Sequence, residues 1–223
     1  MEQIKVIGIG GIGCALLPHL CRFLQHRGEP VRVTLIDGDE FEGRNAERQA
    51  FPALGNKAQV KASELAREFD GLSIRAVPEF VTEANVMECI RPGDVIFLAV
   101  DNHRTRKLVS DACEKLSDVV LISGGNDLID GNVQIHVRAG GCDLTAPITR
   151  FHPEIREPRD RSPAELTCEE LAASATPQLL FTNLAIGSAM LNAYYAWRQG
   201  ALRYGEVYLD IIEARQNPVV REG

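Results

Sequence analysis

The chain is short of cysteine, with six in 223 residues at positions 14, 21, 89, 113, 142 and 168, and no two of them stand in CxxC spacing. That excludes a disulfide scaffold and a zinc ribbon; no zinc is expected, and scattered thiols point to a reduced, cytoplasmic chain. Basic residues are in deficit: 24 Lys and Arg stand against 31 Asp and Glu, a formal net charge of −7. Binding to a phosphate backbone needs concentrated positive charge, so nucleic acid is not the expected partner. Met1-Glu2-Gln3 leads straight into a strand pattern, so no signal peptide is expected. No internal repeat is visible. Charge is missing over one long stretch, Leu171 to Trp197, about long enough to span a bilayer. Pro177 precedes its apolar part, and Gln178, Thr182, Asn183, Ser188 and Asn192 interrupt it. It reads as a buried core or dimer-interface helix and not as a membrane span.

What the chain does have is a glycine-rich corner near its start. Val6 to Gly13 reads VIGIGGIG, an apolar run that enters Gly8, Gly10, Gly11 and Gly13. A helical segment follows, and then a second apolar run ends at Asp37. In such a strand–turn–helix the first glycine permits a tight turn, the second lets backbone approach a phosphate, and the third lets helix pack on strand. The helix N-terminus aims N–H groups at the phosphate, and a carboxylate at the next strand end can accept both ribose hydroxyls. A nucleotide is therefore expected at this end of the chain.

Strand patterns fall at about 3–9, 31–37, 73–77, 94–100, 119–123, 132–138 and 204–212, and helix patterns at about 12–26, 57–69, 83–90, 103–117 and 178–198. Strands such as DVIFLAV and VVLIS are near-continuous apolar runs, the mark of a parallel sheet covered on both faces. After Val119 strands follow one another without helices. The expected fold is α/β: a Rossmann-like, doubly wound, mostly parallel sheet with antiparallel additions in the C-terminal half. One domain is expected over 1–223, large enough to bury about 70–75% of its unfolded surface. Residues 140–176 form its irregular part, expected to be a loosely docked crossover loop.

A second layer of residues suits triphosphate chemistry. Asp39, Asn45, Arg48, Gln49, Lys57, Asp101 and Asn102 follow in order at or near strand ends that line the crevice of an open α/β sheet. An Arg and a Lys can neutralise phosphate oxygens as pyrophosphate leaves, and a strand-end carboxylate such as Asp101 can hold Mg²⁺. Each has a plainer reading. Arg48 and Lys57 can be solvated surface charges, Asp39 a turn residue, and Asp101 or Asn102 merely the cap of the helix at His103. His103 itself reads as a first-turn helix residue.

Taken together, GIGGIGC (8–14), LIDGDEFEGRNAERQAF (35–51), GNKAQVKA (55–62), AVDNHRTRKLVSDAC (99–113), SGGNDLIDGNVQI (123–135) and LTCEEL (166–171) resemble the ThiF/MoeB/HesA superfamily, which includes the ubiquitin-activating enzymes. The resemblance implies an adenylyltransferase that uses ATP and Mg²⁺ on the C-terminal carboxylate of a small ubiquitin-like or sulfur-carrier protein ending in Gly. It implies a phosphate turn at Gly8, Gly10, Gly11 and Gly13, and a ribose contact at Asp37. Asn45, Arg48 and Gln49 would face the phosphates and the attacking carboxylate, Lys57 would contact phosphates, and Asp101 would bind the metal. Cys168 falls where some members carry a cysteine that takes part in thioester, acyl-disulfide or persulfide chemistry. It implies a homodimer too, in line with the apolar 178–197 segment.

Three departures stand out. The link from Gln49 to Lys57 is short, the two CxxC zinc pairs of many bacterial members are missing, and an N-terminal arm that related enzymes use across the dimer is expected to be absent. Without zinc and with YGEVYLDIIEARQNPVV near its end, the chain most resembles the ThiF-like proteins of plasmid-borne PRTRC gene systems.

A catalytic thiol should be partly exposed and electropositive. Cys168 has Arg156, Arg159 and Arg161 upstream but Glu165, Glu169 and Glu170 beside it, so the sequence leaves both a reactive and a packed thiol open; Cys142 is the second candidate. Two other functions start from the same glycine turn. A nicotinamide-dependent oxidoreductase would need a His or Lys acid/base in the second half, and none is convincingly placed. A non-catalytic nucleotide-binding scaffold would keep the fold without transfer.

Overall fold

The computed structural model describes residues 1–165 and 178–223. Among these residues the main sheet has nine strands. Five run parallel: β1 (Glu2–Ile7), β2 (Val31–Ile36), β5 (Ser73–Val77), β6 (Val95–Leu98) and β7 (Val119–Asn126), in the spatial order β7-β6-β1-β2-β5. Beyond β7 the sheet grows by antiparallel pairing through β8 (Asp130–Ala139), β10 (Glu206–Asp210) and β11 (Arg215–Val219), with β9 (Cys142–Asp143) on the end of β8. β3 (Glu40–Phe41) and β4 (Gly55–Asn56) make a separate short ladder. The expected Rossmann-like sheet with antiparallel C-terminal additions is thus what forms.

Two apolar layers cover the sheet. Ile4, Val6, Val95 and Phe97 face a cluster built with α1 (Gly11–Arg27), α2 (Lys57–Glu68) and α6 (Leu180–Arg198); Ile7, Ile96 and Leu98 face another built with α3 (Val86–Cys89), α4 (His103–Cys113) and α5 (Pro153–Arg156). Alternate residues of one strand feed opposite layers, which is why the central strands read as unbroken apolar runs. α6 buries Ile186, Met190 and Ala193 and leaves Phe181, Leu184 and Tyr195 exposed. Among the described residues no helix is long and apolar enough to cross a membrane.

Several expectations need correction. The strand expected at 204–212 forms over Glu206–Asp210 as β10, but it is followed by an unexpected partner, β11, in a hairpin whose turn is held by the Asp210 carboxylate accepting the N–H groups of Ile212 and Glu213, both at 2.9 Å. RQNPV carries no apolar alternation, and Pro218 is tolerated because β11 is an edge strand. The helix expected at 83–90 is one turn, and that at 103–117 stops at Cys113. Residues 142–165 are docked, not loose. Ala146, Ile148 and Ile155 are buried, Thr145 Oγ1 accepts Val137 N at 2.8 Å, and His152 Nε2 meets the buried Glu206 carboxylate at 2.7 Å. The three apolar side chains stand among prolines and charges that mask them in the composition. Cys168 lies outside the described residues.

Candidate active site

β1 and β6 are neighbours in the sheet, and the chain departs from β1 in one direction and reaches β6 in the other. Such a switch point opens a crevice at the carboxyl ends of the strands. Here it is a cleft of about 1450 Å³.

Its floor is the glycine turn. Gly8 follows β1 with φ of +89°, and a side chain there would place Cβ 2.7 Å from the Ala99 carbonyl oxygen, so both the conformation and the space require glycine. Gly10 caps α1 without a side-chain hydrogen bond, the first turn of α1 holds no acidic residue, and a Cβ at Gly10 would meet nothing nearer than Gln49 Nε2 at 3.9 Å. The helix N-terminus is therefore open to an anion. Gly11 and Gly13 serve packing: the first lies against the Asn183 side chain of α6, the second against the Gly8 carbonyl. Gly13 does not line the cleft.

Asp37 ends β2 as a buried carboxylate. Its Oδ2 accepts Ile9 N at 2.5 Å and its Oδ1 accepts Asp39 N at 2.8 Å. Burial pushes its pKa up to about 6, against the opposing pull of Lys57 and the two N–H groups. Lys57, the first residue of α2, points its Nζ at Asp39 Oδ2, 2.9 Å away. Burial lowers the Lys57 pKa, but Asp37, Asp39 and more distant Asp101 outweigh it, and the net shift is upward. Asn56 fixes this corner: its Nδ2 donates to the carbonyls of Asp37 (2.9 Å) and Asp39 (3.1 Å), while its Oδ1 caps α2 at Gln59 N. The short link after Gln49 thus delivers Lys57 into the cleft.

Asn45 sits in a single 3-10 turn, Gly43–Asn45, and its carbonyl accepts the N–H groups of Arg48 and Gln49. All three residues line the cleft, with Arg48 Nε and Gln49 Oε1 buried and without hydrogen-bond partners among the described residues. Beyond β6 the two adjoining residues divide their labour. Asn102 Oδ1 caps α4 at Thr105 N (2.8 Å), while Asp101 is exposed to the cleft and carries no capping bond. One exposed carboxylate beside an anion-ready turn is a donor set that suits Mg²⁺, which is held by one or two carboxylates together with substrate phosphates.

The structure thus brings Gly8, Gly10, Gly11, Asp37, Asp39, Asn45, Arg48, Gln49, Lys57, Asp101 and Asn102 to one cleft. It leaves Gly13 beneath the turn, and Cys168 is outside the described residues.

Two contributors escaped the sequence reading. Arg106 on α4 is fully buried and donates to Val100 O and Gly124 O, both at 2.8 Å, and to Ser123 Oγ at 3.1 Å, which ties the Asp101 loop to β7. Burial lowers its pKa to about 10, though Asp101, Asp160 and Glu154 oppose this. Its signal was a charge at helical core spacing with Val109, Ser110 and Cys113. Asp160, from the irregular segment, accepts His103 N (2.5 Å) and Arg104 N (3.2 Å) at the start of α4 and walls the cleft. Nothing local in the sequence marks that contact.

A glycine turn at the switch point of a doubly wound sheet defines a Rossmann-like α/β protein. The ThiF family model matches residues 2–194, and the chain belongs to the ThiF family. Over 142 residues it is 31% identical to the adenylyltransferase and sulfurtransferase MOCS3 of Bos taurus, covering 62% of this chain and 30% of that protein. It is 29% identical over 150 residues to the sulfur carrier protein adenylyltransferase of Thermus thermophilus, covering 63% of this chain and 53% of that protein. The matches therefore span between about a third and about half of these relatives. Among solved structures, that of E. coli MccB with ATP superposes with a TM-score of 0.73 at 14% identity, over 99% of this chain and 64% of the other. PaaA superposes at 0.70 and 17%, over 100% and 65%. At these identities the likeness is one of fold.

Proposed function

We propose that this protein adenylates the C-terminal carboxylate of a small ubiquitin-like or sulfur-carrier protein ending in glycine. The observation that carries the reading is the arrival of Arg48, Lys57 and Asp101, from three separate segments, in one cleft with a helix N-terminus that has no side-chain cap. A dinucleotide site needs the glycine turn and Asp37 but not that set. The sulfur-carrier adenylyltransferase among the relatives and the ATP-bound MccB of the same fold support the same reading.

In this reading the N–H groups of the turn and α1 bind phosphate oxygens, and Asp37 accepts the ribose hydroxyls on lone pairs its two backbone partners leave free. A carboxylate oxygen of the carrier bonds to the α-phosphorus as the bond from that phosphorus to the β-bridging oxygen breaks. Pyrophosphate leaves with the electron pair. Arg48 and Lys57 balance the charge that develops, Lys57 by exchanging Asp39 for phosphate. Asp101 would hold Mg²⁺, which supplies further charge neutralisation. Cys168 is the proposed acceptor if the acyl group moves on to a thiol. The free thiols of Cys14, Cys21, Cys89 and Cys113, all buried, suit a reducing cytoplasm.

ATP–pyrophosphate exchange with candidate carrier proteins, run beside calorimetry with ATP and NAD, tests the reading. Exchange together with Mg-ATP binding is expected. NAD bound more tightly than Mg-ATP indicates the oxidoreductase, and ATP binding without exchange indicates the scaffold.

The Asp37 pKa sets a pH dependence. Nucleotide binding requires the carboxylate, so affinity is expected to be level above about pH 7 and to fall roughly tenfold by pH 5. The stability linkage runs the other way. With its folded pKa raised, Asp37 contributes stability that is present at acid pH and lost as pH rises through about 6. Calorimetric titrations at pH 5, 6 and 7.5 check the first, and a level affinity across them removes Asp37 from the nucleotide site.

We also propose a homodimer through α6. Phe181, Leu184 and Tyr195 fall on one helical face and are 65%, 43% and 53% exposed. A two-fold axis buries such a stripe against its own copy. Sedimentation is expected to show a dimer for the wild type and a monomer for Leu184→Arg; a monomeric wild type contradicts the proposal.

A further inference from the structure

α2 turns a stripe of small and apolar side chains toward the core, in which Ala58, Ala62 and Leu65 are buried. Lys61 lies in the same stripe and is only 2% exposed, one of the largest fully buried side chains among the described residues. A lysine is almost never fully buried unless it is paired. Here the Nζ donates to the Ala50 carbonyl and to Glu64 Oε2, the latter at 2.6 Å, and it lies 4.8 Å from the centre of the Phe51 ring. Phe51 in turn stacks on Phe41, with ring centres 4.6 Å apart. An ammonium has three N–H donors. A carbonyl, a carboxylate and an aromatic face are enough to occupy them. Lys61 does not line the cleft, so it is not placed to touch a ligand there.

Stability alone does not call for a charge at this position. A well-packed apolar side chain of similar volume often stabilises as much as a buried ion pair. What an apolar side chain cannot do is hold a carbonyl. Ala50 follows Arg48 and Gln49 directly in the chain. The Asn45 carbonyl holds the front of this loop through the N–H groups of Arg48 and Gln49, and Lys61 holds its back through Ala50. Lys61 also stands four residues after Lys57 on α2, a rise of about 6 Å. One helix therefore carries a cation into the cleft at its first residue and, one turn later, grips the loop that carries the second cation.

We propose that Lys61 is a positioning residue for the nucleotide site. By holding the Ala50 carbonyl it fixes Arg48 relative to Lys57, so that the phosphates meet two cations at one set spacing. The inference rests on the adenylation reading for the ligand, Mg-ATP.

The test is a double-mutant cycle on the full chain, read by calorimetry with Mg-ATP. Lys61→Met keeps the side-chain length and removes the ammonium. It is expected to weaken binding about tenfold, within the range of coupling between neighbours in one network. Lys61→Arg can still donate to the carbonyl and is expected to recover most of the loss. Arg48→Ala is expected to weaken binding by at least as much as Lys61→Met. Adding Lys61→Met to Arg48→Ala then costs less than about twofold more, because the route through Arg48 is already gone. A lysine that only supports the fold gives losses that multiply. Multiplying losses, wild-type affinity in Lys61→Met, or no recovery in Lys61→Arg overturns the inference. Hydrogen exchange on the nucleotide-free protein is the second measurement. In Lys61→Met the amides of residues 46–51 are expected to exchange about tenfold faster while those of β6 keep their protection. Unchanged exchange at 46–51, or equal loosening of β6, also overturns the inference. Pyrophosphate exchange is scored separately. Mg-ATP binding without it rejects the adenylation reading alone and leaves the cycle to decide the role of Lys61. If the wild type binds no Mg-ATP, the adenylation reading falls, and hydrogen exchange at 46–51 decides whether Lys61 holds the loop.

Discussion

Lys57→Ala is expected to slow pyrophosphate exchange by about 10²–10³ while the melting temperature moves little. The rate effect follows from position. Lys57 Nζ is held in the cleft by Asp39, and Asn56 fixes the backbone at Asp37 and Asp39. A donor preorganised against developing charge contributes about 2.7–4 kcal/mol. The stability effect is small because Asp39, the partner left behind, is about a third exposed and is rehydrated when the lysine goes. Exchange rates and thermal melts on the same preparation separate the two. Wild-type exchange in Lys57→Ala removes the residue from the reaction, and a large fall in melting temperature makes it structural.

Arg106→Met carries the largest expected stability change. The Arg106 guanidinium, itself buried, donates to two carbonyls, of Val100 and Gly124, and to the Ser123 hydroxyl. Methionine fills comparable space but leaves these groups unpaired, at about 1–3 kcal/mol each. A loss of about 3–5 kcal/mol is a large share of the 5–15 kcal/mol that holds a typical fold together, and for a chain of this length it lowers the melting temperature by roughly 10 °C. Arg106→Lys, which can keep some of the bonds, should fall between. Ser123→Ala should lose far less. Differential scanning calorimetry of the three variants gives the order. If Arg106→Met melts with the wild type, the guanidinium does not bind the Asp101 loop to β7.

What the sequence revealed of this site, and what it concealed, follows the range of each interaction. Gly8, Gly10 and Asp37 announce themselves because the chemistry is contained in one strand, one turn and the next strand end. Asn102 is similar: an asparagine just before a helical pattern caps it, and the N–H it accepts is only three residues on. Arg106 could have been found from the oddity of a charge at core spacing, but two of its partners, Ser123 and Gly124, lie on β7, 17 and 18 residues on. Asp160 meets α4 from 57 residues away, and no local pattern encodes that. The docking of 142–165 was missed for a different reason. Composition averages conceal a few buried side chains, and Ile148 and Ile155 outweigh the charges around them. β11 was missed because an edge strand facing solvent and a wet cleft has no apolar period to display.

Asn183 bears on the glycine turn at Gly11 from the same helix that presents Phe181 and Leu184 to solvent. The two surfaces share one turn of the helix. In the proposed dimer, nucleotide binding and pairing would draw on the same helix. If ATP tightens pairing by some factor, pairing tightens ATP by that same factor.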